Sequence, residues 1–379
     1  MHRLVGYSKI EAKFLGYHFM QAPSFDKFVE MGGFSQLNAV YPPLRCENSL
    51  PLNFTSRQEL FQEELWGRSF YQIPDRVVDK AFIATVDFCK IVSRYDQFDN
   101  EYSVVLNSKN IVVPLRGIGF DSRHRTMLNS CKEKTHVEEA AWIFENWSGN
   151  YYHWLIYHLP KVLLLKEFSK NIKILTPEKN KLYPVIYQSL KMMGYDNSQL
   201  INIKQGITCV DRLTVVNLDH HDPRLLKRLS EVFRSNINKA SDSNGDLVYI
   251  SRKKSHWRRI TNENAIISFL EKKRFKILLM EDLDFEEQVA MAHGARLVVS
   301  AHGAGLANML FCKSGVDVIE IVNPNFPNSD YYSLACGLGL KYWMLKGEGV
   351  GTQEPAYQDI VVCMESFKEL LKCILGTAE

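Results

Sequence analysis

The chain has 379 residues, a formal net charge of +3 and a hydrophobic content of 46% beside 23% charged residues. This balance is typical of a folded globular protein and excludes a largely disordered chain, and the small net charge argues against general nucleic-acid binding. Because single cores seldom grow beyond about 250–300 residues, the length favours two domains.

The predicted elements divide the chain into three parts. Residues 1–75 are irregular and punctuated by proline, and we expect them to pack on the first domain. Residues 76–235 and 236–379 each alternate short apolar strands with helical segments, which indicates parallel sheets covered by helices. The predicted strands are 81–86, 103–106, 111–113, 141–144, 172–175, 213–216, 247–250, 275–280, 297–299, 316–321, 342–345 and 360–363. The predicted helices are 151–168, 183–193, 223–235, 262–271, 285–293, 305–311, 331–338 and 366–375. We therefore predict an α/β fold of two Rossmann-like domains that face each other across a cleft.

The most informative stretch is a strand–glycine–helix junction near the C-terminus. The apolar run 297–299 breaks at His302-Gly303-Ala304-Gly305, and an apolar helical pattern follows at once. Small residues let a backbone turn sharply, and the free N–H groups of a helix start attract anions. The junction therefore indicates a site for a nucleotide diphosphate.

Four further candidate ligand-binding residues of the second domain lie in its predicted strands and helices or directly after them. Arg252 and Arg259, in a basic loop after strand 247–250, could clamp phosphate oxygens, although a solvated basic loop is also open. Glu320 is a carboxylate inside an apolar strand, which needs either a ribose diol or a salt bridge to an Arg or Lys. Gln288 could bind the base or sugar of a ligand, and a capped, solvated helix explains its segment equally well.

In the first domain, His153 opens the helix after the turn 146–150, again at the end of a strand. Tyr157 lies at i+4 on the same face, whereas His158 is turned roughly 140° away from His153 at about 100° per residue. A neutral imidazole at this edge would suit general-base chemistry on a hydroxyl, and a satisfied core histidine is the alternative.

A metal site is not predicted. His220 and His221 are neighbours on an extended segment and point in opposite directions, and no D-x-D or Cys/His spacing supports a metal elsewhere. Basic residues and helix N–H groups must then neutralise a bound diphosphate.

As an ordered series, these motifs resemble glycosyltransferase family 61, in its bacterial form. The resemblance rests on residues 147–155 with Leu159-Pro160-Lys161, on motifs between residues 249 and 289, and on the junction 301–306 with Glu320. It spans about residues 146–345 and leaves the N-terminal third uncovered.

The resemblance implies a GT-B fold, a nucleotide-sugar donor bound mainly against the C-terminal domain, inversion at the anomeric carbon, and no obligatory metal or other cofactor. Carried over to this sequence, the residues that would hold the diphosphate are Arg252, His302, Gly303, Ala304 and Gly305. His153 would be the candidate base, with Asn150 and Tyr157 on the acceptor side. Tyr157 stands where many members carry an acid.

We therefore expect an inverting, metal-independent glycosyltransferase that moves a sugar from a nucleotide sugar, with a UDP-sugar as the expected donor. Its expected acceptor is a hydroxyl of a glycan or lipid-linked glycan in capsule or lipopolysaccharide biosynthesis. A non-catalytic nucleotide-sugar-binding protein stays open, as does a nucleotide-dependent epimerase or dehydrogenase, although no G-x-G-x-x-G follows an early strand. Scattered cysteines and the lack of a leader or membrane-spanning run predict a cytoplasmic protein, with peripheral contact at the inner face of the membrane left open.

Overall fold

The structure, a computed structural model, describes residues 22–56, 75–95, 101–130, 134–146, 148–169, 171–178, 183–237 and 245–376. Within these ranges the strands, in chain order, are β1 (Gln36–Tyr41), β2 (Leu44–Glu47), β3 (Asp75–Val78), β4 (Ala81–Tyr95), β5 (Glu101–Leu106), β6 (Lys134–Trp142), β7 (Ile174–Pro177), β8 (Leu200–Ile203), β9 (Gly206–Asn217), β10 (Asp246–Ile250), β11 (Lys276–Leu278), β12 (Ala295–Ala301), β13 (Asp317–Val322), β14 (Lys341–Lys346), β15 (Glu348–Val350) and β16 (Asp359–Val361). The α-helices are α1 (Phe25–Glu30), α2 (Ser122–Ser130), α3 (Tyr151–His153), α4 (Leu159–Phe168), α5 (Tyr183–Met192), α6 (Pro223–Ser235), α7 (Glu263–Lys272), α8 (Phe285–Gly294), α9 (Asp330–Leu338) and α10 (Met364–Leu375). A π-helix (Trp154–His158) and four 3₁₀-helices (Asn197–Gln199, Met280–Asp282, Ala304–Phe311 and Pro355–Tyr357) complete the described elements. None of these helices is long and apolar enough to cross a membrane.

Two compact units make up the chain: residues 1–43 with 79–220, and residues 44–78 with 221–379. The boundary falls before α6, whereas the sequence placed residues 223–235 in the first domain. The apolar face of α6 explains this difference, because Phe233 packs on Phe285 and Phe311 of the second unit, with ring centroids 5.5 Å and 5.3 Å away. An amphipathic helix belongs to the unit that covers its apolar face.

The described part of the first 75 residues is more regular than expected. In the first unit, Phe25 of α1 packs on Phe82 of β4, with ring centroids 4.7 Å apart. The mostly exposed strand β1 pairs with β4, and its lack of buried residues explains why no strand pattern is visible in its sequence. In the second unit, the side chain of Asn53 donates to the carbonyl of Met344 at 2.8 Å and accepts from its N–H at 3.1 Å. Residues 44–56 thus belong to the second unit rather than packing on the first domain, and residues 1–21 and 57–74 lie outside the described ranges.

The first unit is built on a seven-stranded sheet in the order β1-β4-β9-β6-β7-β8, with β5 beside β4. The wholly parallel sheet expected from the sequence is wrong for this unit, since β4 pairs antiparallel with β1, β5 and β9. The connection from β4 to β5 covers only residues 96–100, which is too short for the crossover that parallel neighbours need. The remaining pairs, from β9 through β6 and β7 to β8, are parallel.

The strand order of this sheet reverses between β6 and β9. From β6 the chain passes through α3 and α4 to β7 on one side, whereas β9 lies on the other side of β6. In open α/β sheets, ligands bind beyond the carboxyl ends of the strands at such a reversal. The segments that follow Trp142 and Asn217 are therefore the places in this unit to look for a site.

The second unit contains a five-stranded, wholly parallel sheet in the order β11-β10-β12-β13-β14. Tyr249, Val299 and Ile319 are fully buried in its central strands, which accounts for their near-continuous apolar runs. The predicted α/β class is confirmed. Here the order reverses between β10 and β12, so Arg252 after β10 and His302 after β12 come to the same edge.

Candidate functional site

The predicted junction at the end of β12 exists, with a tighter helix than expected. After Ala301 the extended residue Gly303 precedes a 3₁₀-helix that starts at Ala304, in which Leu306 N–H donates to the Gly303 carbonyl at 2.9 Å. The earlier N–H groups of such a helix have no partner within it. They form one wall of a candidate anion site in the second unit.

Arg252 supplies positive charge directly against this wall. Its Nε donates to the Arg258 carbonyl at 3.1 Å and its Nη2 to the Trp257 carbonyl at 2.8 Å. A β-carbon at Gly303 would lie 1.7 Å from Nη1 of Arg252. Glycine is therefore needed at position 303 because the guanidinium passes over the backbone there.

The second arginine at the junction is Arg258, which the sequence did not single out. Its Nε donates to the carbonyl of His302 at 3.1 Å and its Nη1 to the carbonyl of Ala356 at 2.7 Å. Arg259, the expected clamp, instead pairs with Asp359 at 2.8 Å and has a side chain that is 52% exposed. Consecutive residues diverge in this way because Arg258 has a left-handed backbone, with φ of 57°.

The charges of Arg252 and Arg258 are not neutralised by protein carboxylates. Within the described ranges both guanidinium groups donate to backbone carbonyls, and neither forms an ion pair. Burial and the nearby charge of Arg258 lower the pKa of Arg252 to about 10, and burial also lowers the pKa of Arg258. Two half-buried cations that form no ion pair within the described residues, at the reversal of a parallel sheet, suit an anionic ligand.

His302 is held by a carboxylate from the neighbouring strand. Its Nδ1 lies 2.5 Å from Oε1 of Glu320, and the Tyr342 hydroxyl donates to Oε2 of the same carboxylate at 2.6 Å. The fully buried oxygens of Glu320 thus meet an imidazole and a phenol rather than an Arg or Lys, and its contact with a ribose diol stays a prediction. Donation from Nδ1 leaves Nε2 as the ring nitrogen that can meet a ligand.

Two other predicted contacts turn out to serve packing. A β-carbon at Gly305 would lie 3.1 Å from Cγ of Met280 and 3.2 Å from Cγ2 of Ile250, so this glycine lets the 3₁₀-helix approach β10. Gln288 is buried, donates to the Met280 carbonyl at 3.0 Å and accepts from Asn308 at 2.9 Å. Its amide is thus used inside the fold rather than offered to a ligand.

In the first unit, the segment after β6 begins with a helix cap. Oδ1 of Asn150 accepts from the N–H groups of Tyr152 at 2.9 Å and His153 at 3.4 Å, so this residue, expected on the acceptor side, caps α3. The helix then widens into the π-helix Trp154–His158, in which Leu159 N–H donates to the Trp154 carbonyl. Pro160 lacks the N–H that a regular α-helix would use here, which favours the wider turn.

His158 is a structural residue of this helix. Its Nε2 accepts from the Glu145 N–H at 3.0 Å, and its Nδ1 therefore donates to the His153 carbonyl, 2.8 Å away. Burial and the charge of Lys161 lower its pKa to about 3, so the ring is neutral at physiological pH. Both ring nitrogens are occupied by the backbone.

Three rings are in contact beside this helix. His153 and Tyr157 are in contact on one face, as their i+4 spacing predicted, with centroids 4.7 Å apart and nearly perpendicular planes. On Tyr157 lies the ring of His220, parallel within 7° and 3.3 Å between centroids. His220 follows β9, so the reversal of the sheet brings it beside the helix that follows β6. The sequence marked His220 only as a poor metal ligand, and its place after β9 was the signal that could have identified it.

Glu145 lies close to the ring of His220. Its buried carboxylate forms an ion pair with Lys161, and its Oε2 is 3.5 Å from Nε2 of His220. Burial alone would raise the pKa of Glu145, but Lys161 and His220 outweigh it, and the pKa is lowered. Burial and the charge of His220 lower the pKa of His153 to about 4, so its imidazole is neutral at pH 7.

Residues 151–319, which begin with α3 and end in β13, match the Glycosyltransferase 61 family model. Over these residues the chain is similar to the glycosyltransferase 61 family. The chain is also similar to EGF domain-specific O-linked N-acetylglucosamine transferases. Identity is 30% over 99 residues with the Drosophila melanogaster protein (25% of this chain, 19% of the relative), 26% over 111 residues with that of Gallus gallus (27% and 21%), and 28% over 96 residues with that of Rattus norvegicus (24% and 18%). The matched region spans about a fifth of the length of these curated relatives.

Proposed function

We propose that this protein is an inverting glycosyltransferase that moves a sugar from a nucleotide-sugar donor to an acceptor hydroxyl. The observation that carries the proposal is the pair of half-buried guanidinium groups of Arg252 and Arg258, which meet the start of a 3₁₀-helix and form no ion pair within the described residues. A nucleotide diphosphate supplies the missing negative charge. The match of residues 151–319 to the Glycosyltransferase 61 family model supports the same class of reaction.

In the proposed reaction, the diphosphate is the leaving group. As the bond from the anomeric carbon to the diphosphate oxygen breaks, negative charge grows on that oxygen, where the two arginines, the N–H groups after Gly303 and Nε2 of His302 stabilise it. This arrangement requires no metal ion. The acceptor oxygen attacks the opposite face of the sugar, which inverts the anomeric centre, and a base takes its proton.

The base is proposed to come from the first unit, so that the two units act as the donor and acceptor domains of a GT-B enzyme. Two imidazoles at the reversal of that sheet contact Tyr157: His153, the base expected from the sequence, and His220, whose ring stacks on that of Tyr157.

The proposed donor is a UDP-sugar, and the names of the relatives favour N-acetylglucosamine as its sugar. The proposed acceptor is a hydroxyl of a glycan or lipid-linked glycan in surface polysaccharide biosynthesis. A hydroxyl of a protein domain, on which the relatives act by name, is the alternative that an acceptor panel would decide.

Adjacent arginines provide a matched test of the donor site. Thermal shift measurements with UDP-, GDP- and CMP-sugars come first, since a bound ligand raises the unfolding temperature. Arg258→Ala should weaken binding of the stabilising nucleotide about tenfold or more, which is about 1.4 kcal/mol, whereas Arg259→Ala should leave it within about threefold. Equal affinities in the two variants, or no stabilisation by any nucleotide sugar, would contradict the proposal. Donor binding without turnover across the acceptor panel would indicate a non-catalytic binding protein instead.

A further inference from the structure

The proposed reaction needs one group in the first unit that takes the acceptor proton, and the reversal between β6 and β9 gathers several candidates. The ionisable side chains there include Glu145, His153, Tyr157, His158, Lys161 and His220. Their surroundings differ enough to separate a group that can meet substrate from groups that support it.

Three of these side chains serve as support. Lys161 and Glu145 are buried together as an ion pair, with only 4% and 3% of their side chains exposed. His158 is completely buried, and both of its ring nitrogens are bound to backbone groups. None of the three can meet an acceptor hydroxyl without unfolding the segment around it.

The two residues at the start of the helix are poorly suited to take a proton. Tyr157 is buried between the rings of His153 and His220, and a neutral phenol gives up a proton more readily than it accepts one. His153 is half-buried, with its ring against Tyr152 and Tyr157, and its lowered pKa of about 4 makes it a weak base. A catalytic base should have a pKa nearer the working pH.

His220 differs from His153 in that one of its ring nitrogens faces a carboxylate. Its Nε2 faces the carboxylate of Glu145 at 3.5 Å, its ring is fixed flat on Tyr157, and 22% of its side chain is exposed. Glu145 is in turn fixed by Lys161. A carboxylate behind one ring nitrogen orients an imidazole and stabilises the imidazolium that forms when the other nitrogen takes a proton.

We propose that His220 is the general base of the transfer and that Glu145 is the residue that positions it. The assignment rests on the proposed glycosyltransferase function. The acceptor O–H bond breaks and its proton goes to Nδ1 of His220, while the oxygen forms the bond to the anomeric carbon. The bond from that carbon to the diphosphate breaks, and its electron pair stays on the diphosphate. The imidazolium returns its proton to solvent after the product leaves.

The assignment gives Tyr157 and Glu145 distinct roles. Tyr157 provides the surface on which the ring of the base lies, and Glu145, in the loop after β6, supplies the negative charge. Two further ionisable groups near His220 are His153, which contacts Tyr157, and Asp219, whose Oδ1 accepts from the His220 backbone N–H at 2.8 Å and pairs with Nη1 of Arg116.

The test compares sugar transfer with UDP binding in the full-length protein. His220→Asn should lower kcat by about 10²–10⁴-fold and change the Kd for UDP by less than about threefold, and added imidazole should restore part of the activity of His220→Ala. His136→Asn, on the exposed part of β6 with 59% of its side chain accessible, is the matched control and should retain full activity. Full transfer by His220→Asn, or loss of transfer in His153→Asn alone, would overturn the assignment.

Glu145 is tested through the pH profile, which a purely structural role would not move. Glu145→Gln should lower kcat and move the acidic limb of the kcat profile to lower pH, because the imidazolium loses its nearby negative charge. Since Glu145→Gln leaves Lys161 buried without its partner, the double variant Glu145→Gln/Lys161→Met provides a second form without either charge. An acidic limb unchanged in both forms would exclude the positioning role. A wild-type protein that neither binds UDP nor transfers sugar would instead remove the proposed function itself.

Discussion

The guanidinium of Arg252 occupies the space that a side chain at Gly303 would need, with Nη1 only 1.7 Å from the position of a β-carbon. Gly303→Ala must therefore displace Arg252 from the junction. We expect the affinity for UDP to fall at least tenfold, about 1.4 kcal/mol, because one of the two half-buried cations no longer faces the candidate anion site. Isothermal titration calorimetry with UDP measures this change.

A neighbouring glycine supplies the control for this substitution. A β-carbon at Gly305 would press on Met280 and Ile250 at 3.1–3.2 Å, away from the arginines. Gly305→Ala should lower the free energy of unfolding by about 1–3 kcal/mol through overpacking and change UDP affinity less than Gly303→Ala does. If Gly303→Ala bound UDP as tightly as the wild type, the position of Arg252 would not matter for the donor.

Substitutions of the carboxylate behind His302 should affect stability and donor binding together. Glu320→Gln replaces a charged acceptor that receives the Tyr342 hydroxyl and faces Nδ1 of His302. We expect the free energy of unfolding to fall by about 2–3 kcal/mol, and the affinity for UDP to fall because the His302 ring is no longer fixed. Urea unfolding and UDP titration measure the two effects.

Tyr342→Phe separates these effects, because it removes one hydrogen bond to Glu320 and keeps the bond to His302. It should lower the free energy of unfolding by about 1–2 kcal/mol and leave UDP affinity near that of the wild type. An equal loss of UDP affinity in both variants would show that the orientation of His302 is not what Glu320 contributes.

In the second unit, the topology of the sheet decided which contacts could be predicted from the sequence. Strand patterns and the rule for carboxyl ends sufficed to bring Arg252 and the junction after β12 together. The choice between Arg258 and Arg259 could not be made, because it depends on the left-handed backbone of Arg258 and on Asp359, a hundred residues away in the chain. Glu320 was identified as needing a partner, but which partner depends on the pairing of β13 with β14.

The first unit was harder to predict for two physical reasons. The angle between His153 and His158 was taken from a regular α-helix, whereas the π-helix changes the spacing and brings the His158 ring to the His153 carbonyl. The stack of His220 on Tyr157 joins residues more than sixty positions apart, through the parallel pairing of β6 with β9. Periodicity within one segment carries no information on such a contact.

We expect His158 to lower the free energy of unfolding of the protein at acidic pH. Burial and the charge of Lys161 lower its pKa from 6.5 to about 3, so below pH 6.5 the unfolded chain binds a proton that the folded protein does not. Stability is therefore lost as the pH falls, by about 2 kcal/mol between pH 6.5 and 5 from this residue alone. His158→Asn should be less stable than the wild type at pH 8, and its disadvantage should shrink by about that amount at pH 5.

Urea unfolding at both pH values measures this difference. His136→Asn, at an exposed position of β6 in the same unit, serves as the control. The control should lose stability with falling pH as the wild type does. A constant difference between His158→Asn and the wild type from pH 8 to 5 would mean that the folded protein accepts the proton on His158.

A second buried group should have the opposite pH dependence. Burial raises the pKa of Glu101 from 4.5 to about 7, only partly offset by hydrogen bonds from Ser103, Ser148 and Ser93. Between these pH values the unfolded chain has released a proton that the folded protein keeps, so stability falls as the pH rises, by up to about 3 kcal/mol. Glu101→Gln keeps the shape without the charge, and we expect it to be more stable than the wild type at pH 8 by up to that amount and no more stable at pH 4.5.

Glu139→Gln, at a side chain that is 55% exposed, should change stability by no more than about 0.5 kcal/mol at either pH. Urea unfolding measures the free energy of unfolding of both variants. If Glu101→Gln were no more stable than the wild type at pH 8, the three serine hydroxyls would already compensate the buried carboxylate of Glu101.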